Sequence, residues 1–444
     1  MEYVIMIGQF LLSLSILIIL HEMGHFLAAR AFKTRVEKFY LFFDPWFSLF
    51  KYKKGDTEYG IGWLPLGGYV KISGMVDESF DTEQLKEPPK PWEFRSKPAW
   101  QRLIIMIGGV TVNFFLGLFI YAMLFYVYGE EYLPAKEAVY GIHVDSLGME
   151  MGLRDGDKVL QIGDKPFEKF NPRTLVREVV INNADKIVVE RNGQQVTLPI
   201  DPSFTAKLAS HKNKNAVIFE PRIPFVAAKI IKNSPAEEAG FQPGDSLTAF
   251  NGTPLQFFDQ FLDSIQSNPG KEARISLIRK GQPIEVEVKI GENGKIGIQP
   301  YGLDRYFHLE KKHYTLAEAI PAGAKRGIGF LSDQIKAFGQ IISNKIPAKE
   351  SLGGFASIGS MFGTQWNWER FWSMTAALSL ILAFMNLLPI PALDGGYVMF
   401  LIYELISGRK PSDKFMEKAT MVGFILILAL LIFANGLDVM RGCG

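Results

Sequence analysis

Four stretches of this chain carry no charged residue and are long enough, or nearly long enough, to cross a bilayer: 4–20, 103–128, 371–393 and 419–437. A spanning helix needs about 20 apolar residues, and it must pair its own backbone because hydrocarbon offers no partners. Four such stretches predict a polytopic α-helical membrane protein. The first reaches full length only if it continues through 21–29. A signal peptide is the competing reading there, but a positive start and a small-residue cleavage site are both lacking.

The basic residues predict an orientation. Arg30, Lys33, Arg35 and Lys38 follow the first stretch, and Arg95, Lys97 and Arg102 precede the second. Arg409, Lys410, Lys414 and Lys418 separate the third from the fourth. Short loops rich in Lys and Arg stay cytoplasmic, so the N-terminus, 129–370 and the C-terminus are expected outside. Trp366, Trp368 and Trp372 then sit at the outer interface as an aromatic belt. Charge is nearly balanced, 48 Lys+Arg against 46 Asp+Glu, which argues against a nucleic-acid partner. The single cysteine, Cys443, allows no internal disulfide and leaves the compartment open.

The outer segment repeats itself. Gly152-Leu-Arg-Asp-Gly156-Asp157 recurs as Gly240-Phe-Gln-Pro-Gly244-Asp245, Pro166 as Pro254, and Arg191 with Gly193 as Arg279 with Gly281. Each pair is 88 residues apart (157 to 245, for example). A constant offset reads as two copies of one globular module, too long for a solenoid unit. In each copy a β-rich run leads through Asn192-Gly193 or Lys280-Gly281 into another strand. The pattern resembles PDZ domains of the bacterial protease type, in which the Gly-x-x-x-Gly-Asp segment links a short helix to a strand. PDZ domains bind extended peptides by strand addition; spacers or steric filters without a ligand are the alternative. Beyond the second copy, 316–346 reads as a helix with mixed apolar and basic faces, interrupted by Gly323 and Gly327. It lies on the membrane surface or packs on the second repeat.

On the cytoplasmic side, 58–75 contains Tyr59-Gly-Ile-Gly-Trp-Leu-Pro65-Leu-Gly67-Gly68-Tyr69. Strand formers flank Pro65 and the glycine pair, which predicts a β-hairpin. Its apolar character predicts that it dips into the membrane against protein, where its backbone must stay paired. A soluble hairpin is the alternative.

The chemistry is concentrated in His21-Glu22-Met23-Gly24-His25. Residues four apart share a helix face, so both histidines can reach one metal ion. Glu22 is turned about 100° from His21 and can lie beside the metal without binding it. There a carboxylate can take a proton from water and deliver it to the leaving amine of a peptide. Three ionisable groups on one turn of a span are costly and point to function. Catalytic zinc takes three protein ligands and keeps one position open. His143, His211, His308 and His313 all lie in the outer segment, so Asp394 is the better third ligand. It ends Asn386-Leu-Leu-Pro389-Ile-Pro391-Ala-Leu-Asp394, just before Gly395-Gly396. The prolines break the helix and the glycines permit close approach. Irregular backbone at membrane depth should line a cavity; a helix-capping Asp is the duller alternative. From 4 to 21 is about 25 Å of helix, which sets the metal towards the cytoplasm, and Asp394 enters from the other side to a comparable depth.

These features together, His-Glu-x-x-His in the first span, Asn-x-x-Pro-x-Pro-x-Leu-Asp-Gly in the third, four spans and a PDZ-like pair between the second and third, resemble the bacterial site-2 protease family over essentially the whole chain. The resemblance implies zinc as cofactor, His21, His25 and Asp394 as its ligands, and Glu22 as general base. It implies substrate contacts from Asn386, Pro389 and Pro391, and a membrane-re-entrant β-loop at 58–75 with Gly67, Gly68 and Tyr69 beside substrate. It implies a Gram-negative inner membrane, with both termini and the PDZ-like pair in the periplasm. The expected layout is a first span at 1–30, a cytoplasmic loop at 31–102 and a second span at 103–128. PDZ-like domains follow at 129–215 and 216–305, then an amphipathic helical region at 306–370. A third transmembrane segment at 371–406 and a fourth span at 419–437 complete it. Family members often carry Gly-Pro before the third span; Gly354-Phe355 stands here and leaves the role of 354–358 open.

The function expected is regulated intramembrane proteolysis. A single-span membrane protein enters from the lipid bilayer beside the hairpin, unwinds, pairs as a strand and is cut. By resemblance the substrate is of the anti-sigma-factor type, already trimmed by another protease, with remnant signal peptides as further substrates. The PDZ-like pair then screens by size or contacts peptide. The competing class is a non-catalytic membrane adaptor with a vestigial or structural metal, against which a complete Glu22 argues, because structural zinc needs no base. A metal transporter would need a second set of intramembrane ligands.

Overall fold

A computed structural model describes residues 2–75, 87–213 and 216–442; Cys443 lies outside them. The chain divides into two compact units, Met1–Gly129 with His313–Phe338 and Leu352–Gly444, and Glu130–Lys312 with Gly339–Ser351.

The first unit is built on helices α1 (Glu2–Ala31), α2 (Ala99–Tyr128), α3 (Leu316–Ile342), α4 (Trp368–Leu387), α5 (Asp394–Ser407) and α6 (Asp413–Gly442). Four of them, α1, α2, α4 and α6, are long and apolar enough to cross a membrane. The first does not stop at His21. Its 30 residues rise about 45 Å, more than a hydrocarbon core requires. Small and hydroxyl-bearing residues draw the helices together. Gly24 of α1 and Gly108 of α2 meet backbone to backbone, leaving no room for a side-chain carbon at either. Ser13 of α1 bonds Thr375 of α4 at 2.8 Å, and Ser379 of α4 donates to the Asn113 carbonyl of α2 at 2.7 Å. Lipid supplies no hydrophobic drive between helices, so close approach and such polar bonds hold the bundle.

Gly323 and Gly327 do not interrupt α3, which runs unbroken through both. They are contact points. A side-chain carbon at 323 would strike the backbone of Ala122, and one at 327 would strike Leu118 and Leu380. With buried Ala319 they form a row of small residues four apart, the spacing that lets one helix lie close on another.

A four-stranded sheet follows α1: β1 (Val36–Leu41), β2 (Phe50–Lys54), β3 (Thr57–Ile61) and β4 (Tyr69–Ile72), in the order β2-β3-β1-β4. This corrects the expected hairpin. β3 and β4 do not pair with each other, because β1 lies between them, parallel to β3 and antiparallel to β4. The Pro65-to-Gly68 region is a crossover from one side of β1 to the other, pinned by reciprocal bonds between Phe43 and Leu64 at 3.2 and 3.1 Å. β1 runs back along α1. Val36 shares a buried cluster with Ala29, the Phe39 ring meets Phe26 at 5.6 Å, and Gly68 beside the Tyr40 carbonyl abuts Ile18. β4 is an edge strand.

The second unit holds two copies of one arrangement. Strands Lys158–Ile162, Lys165–Pro166, Lys186–Arg191 and Gln194–Pro199 form one sheet, and Ser246–Phe250, Thr253–Pro254, Glu272–Arg279 and Gln282–Lys289 another of the same order. The repeated motif residues make the same bonds. Arg191 clasps Asp157 with two bonds of 2.7 and 2.8 Å and reaches the Gly152 carbonyl. Arg279 clasps Asp245 with two bonds of 2.7 Å and reaches the Gly240 carbonyl. Both carboxylates are buried, and a bidentate guanidinium is the partner that makes such burial tolerable.

Candidate metal centre

The site begins where α1 and α2 cross. The Gly24–Gly108 contact brings α2 so near that the next residue, Gly109, faces His21 and His25 directly. A side-chain carbon at 109 would overlap His25 Nε2 and stand 2.6 Å from His21 Cε1. Glycine is therefore what leaves space for two imidazoles. His25 Nδ1 lies 2.9 Å from the Ile105 carbonyl. A carbonyl only accepts, so Nδ1 carries the proton and the Nε2 lone pair is free to bind a metal.

Asp394 comes from the broken third segment. Helix α4 ends at Leu387, the chain runs extended at Leu388, and α5 opens with Asp394 itself. Ala392 takes φ +86°, which costs an L-residue about 1 kcal/mol or more. Gly395 lies against the Leu387 and Leu388 carbonyls, and Gly396 against Ile390 and Pro391, so the break folds onto its own backbone. Gly423 of α6 meets the Pro391 carbonyl on the far side. Arg102 of α2 pairs with Glu404 of α5 and ties the second half of the segment to the bundle.

The three groups converge. His21 Nε2 and His25 Nε2 are 3.3 Å apart, and each is 3.3 Å from Asp394 Oδ2. Ligands bound to zinc at about 2.0–2.2 Å with tetrahedral angles stand about 3.3–3.5 Å from one another. Both histidines are buried, and Asp394 Oδ2 is buried without a hydrogen bond. A buried carboxylate oxygen left unpaired is costly, and a cation at the centre of this triangle removes the cost. The residues fit a zinc ion with one position left open.

The model of peptidase family M50 matches residues 9–430. The chain belongs to peptidase family M50. A regulator of sigma E protease from Haemophilus influenzae is 28% identical over 462 residues, 99% of this chain and 100% of its own. The regulator of sigma-E protease RseP of Escherichia coli is 28% identical over 447 residues, 96% of each chain. A Neisseria meningitidis protein named as a zinc metalloprotease is 28% identical over 454 residues, 98% and 99% of the two chains. The chain is thus a site-2 zinc metalloprotease of regulated intramembrane proteolysis and an integral membrane protein.

The remaining candidates of this M50 chain fall in different places. The Asn386 side-chain nitrogen, on the last turn of α4, is 3.2 Å from His21 Nε2. Pro389 is exposed and Pro391 half-buried in the break. Glu22 is half-buried, and a side-chain carbon at Gly68 would stand 3.4 Å from its Cγ. Gly68 thus reaches the site. Gly67 faces the Phe43 ring instead, and the Tyr69 side chain is held within the sheet, donating to Asp44 at 2.9 Å and stacked on Tyr40 and Phe43. His143, Asp155 and Asp259 form another His-carboxylate cluster. Asp259 is already doubly bonded by Arg222, so that group reads as an ion-pair network. Sequence alone does not single out Ile105, Gly109 and Asn113. Their signal is four-residue spacing along one face of α2, opposite two histidines with the same spacing.

Proposed function

We propose that His21, His25 and Asp394 hold the zinc and that Glu22 is the general base and acid of peptide hydrolysis. The observation that carries this is the triangle of three ligand atoms with every edge at 3.3 Å, beside a half-buried carboxylate. Zinc there supplies Lewis acidity towards the scissile carbonyl and lowers the pKa of water to about 7. Glu22 takes a proton from water at its carboxylate and passes it to the leaving amine. The Asn386 amide, beside the ligand nitrogen, donates to the carbonyl oxygen as charge gathers on it. Pro389 and Pro391 shape the wall against which the chain lies.

The substrate is a single-span membrane protein drawn from the bilayer, of the anti-sigma-factor type and already trimmed outside, with remnant signal peptides as further substrates. A helical segment hides its peptide groups, so it must be held extended to be cut. The edge strand β4, which follows Gly68 beside Glu22, offers the backbone for that pairing. The sheet re-enters the membrane. β1 passes from the level of Ala29 to that of Ile18, about 16 Å back along α1, and the tip beyond it bears exposed Trp46, Phe47 and Leu49. The two repeats of the second unit are PDZ-like modules that screen substrates by size. The membrane is the Gram-negative inner membrane, with both termini and the repeats in the periplasm and the metal nearer the cytoplasm, as the basic residues of the short loops favour.

Glu22→Gln tests the reading. Purified in detergent, this variant is expected to keep one zinc per chain and to lose at least 100-fold in cleavage of a single-span substrate. Undiminished cleavage sinks it.

A further inference from the structure

Ile105, Gly109 and Asn113 occupy one face of α2 at intervals of four, and His25 and His21 occupy the facing stripe of α1. Ile105 serves His25 with its carbonyl, Gly109 makes room, and Asn113 stands opposite His21. The side-chain nitrogen of Asn113 is 3.3 Å from His21 Nδ1, while its oxygen, Oδ1, is buried without a partner. That pairing is chemically inconsistent with a metal-binding His21. If Nε2 binds metal, Nδ1 carries the proton, and two donors then face each other. Turning the carboxamide over exchanges its oxygen and nitrogen, whose placement the hydrogen-bond network must decide. The oxygen then accepts from His21 Nδ1–H, and one rotation removes the donor clash.

We infer that Asn113 is a positioning residue of the metal centre, whose side-chain oxygen accepts from His21 Nδ1 and so fixes the tautomer that presents Nε2 to zinc. The inference rests on the proposed reading of His21, His25 and Asp394 as ligands. The surroundings suit the role. Asn113 is fully buried, and Ser379 of α4 holds its main-chain carbonyl at 2.7 Å, so the side chain starts from a fixed point. The two histidines are thus served differently, one by a backbone carbonyl that no substitution removes and one by a side chain that substitution can. Outer acceptors of this kind typically contribute 10–100-fold to metal affinity.

The test is metal binding of the full-length chain in detergent, read by competition with a chromophoric zinc chelator and by the visible spectrum of the cobalt-substituted protein. Asn113→Ala is expected to weaken zinc binding by 10–100-fold and to shift the cobalt bands. Asn113→Asp keeps an acceptor at the same place and is expected to retain wild-type affinity to within a few fold. Ser379→Ala removes a bond to the same residue's main chain while leaving the side-chain acceptor in place, and is expected to weaken affinity less than Asn113→Ala does. Equal weakening in Asn113→Asp and Asn113→Ala would overturn the inference, since it would mean that the side chain donates or merely fills space. So would unchanged affinity in Asn113→Ala. A wild-type chain that binds no zinc would instead remove the ligand reading beneath it. If Asn113→Ala does not yield monodisperse protein, the Asn113→Asp comparison decides alone, because loss of affinity there contradicts an acceptor role.

Discussion

At the scale of single residues, the proposed metal centre depends as much on an absent side chain as on the proposed ligands. Gly109 contributes nothing but space, yet a methyl group there would overlap His25 Nε2 and crowd His21. The obstacle is the His25 ring, held by the Ile105 carbonyl, so it cannot swing away without giving up its own bond at 2.9 Å. Gly109→Ala therefore separates site geometry from helix stability. Alanine favours a helix interior over glycine by about 1 kcal/mol. The variant is expected to stay folded, alanine's helix preference offsetting part of the crowding, while losing zinc affinity by more than 10-fold, read by zinc content after dialysis against a chelator. Full zinc retention would show that the histidines do not sit over Gly109. His21, His25 and Asp394 were readable in the sequence because ionisable groups in apolar stretches announce themselves. Gly109 and Asn113 were not, because a neutral residue in a span acquires meaning only from what lies across the helix interface.

At the scale of elements, the decisive feature is the break between α4 and α5. Pro389 and Pro391 remove two backbone donors, and the chain turns back on itself through Ala392 so that Asp394 opens the next helix. The break is propped from behind, for the Pro391 carbonyl rests on the bare backbone of Gly423 in α6. A side chain at 423 must push the break towards the histidines or push α6 outwards. Gly423→Val is expected to cut the rate of peptide cleavage at least 10-fold while zinc stays within a few fold of wild type, since His21 and His25 are held by α2 rather than α6. Cleavage assayed alongside zinc content checks this; unchanged activity would mean that α6 yields freely. The prolines made the break legible in advance. The sheet was less so. Residues 36–41 alternate weakly, and their strand is identified by what covers them, β3 on one side, β4 on the other and α1 beneath. A local pattern predicts a strand but not which neighbour it takes, which is why the two strands flanking β1 read as a hairpin. Gly323 and Gly327 misled for the same reason: a glycine that ends a helix and one that admits a neighbouring helix look alike until the neighbour is known.

At the scale of the whole molecule, the two repeats of the second unit are joined as one body, and that bears on how a size filter could work. The joint is short. The strand Phe219–Pro221 pairs with Ile142–Val144 and closes the first copy, beyond the boundary expected at 215, and Arg222 directly after it clasps Asp259 of the second with bonds of 2.7 and 3.1 Å while lying over the Phe257 ring. The Phe258 amide donates to the Ile223 carbonyl at 2.9 Å, and Leu133, Ala138, Ile223 and Phe307 pack into a cluster with Phe170 of one copy and Phe258 of the other. Asp259 is 4% exposed, so removing Arg222 leaves a buried carboxylate with His143 at 3.7 Å as its remaining ionic neighbour among the described residues. Breaking such a pair typically costs about 3–5 kcal/mol. Arg222→Ala is therefore expected to loosen the joint rather than either copy, since the clasps of Arg191 on Asp157 and Arg279 on Asp245 lie elsewhere. Hydrogen exchange should quicken at the Phe258 amide and stay slow in the central strands of each copy. If exclusion of untrimmed substrates needs the two copies held at a fixed angle, the variant should cleave a single-span substrate that keeps its folded outer domain several-fold faster than wild type does. Cleavage of the trimmed form should be unchanged, because no residue of the joint belongs to the metal centre. A loosened joint by exchange with no change in the ratio of the two cleavage rates would show that each copy screens substrate independently, and the rigid pair would then be a matter of stability alone.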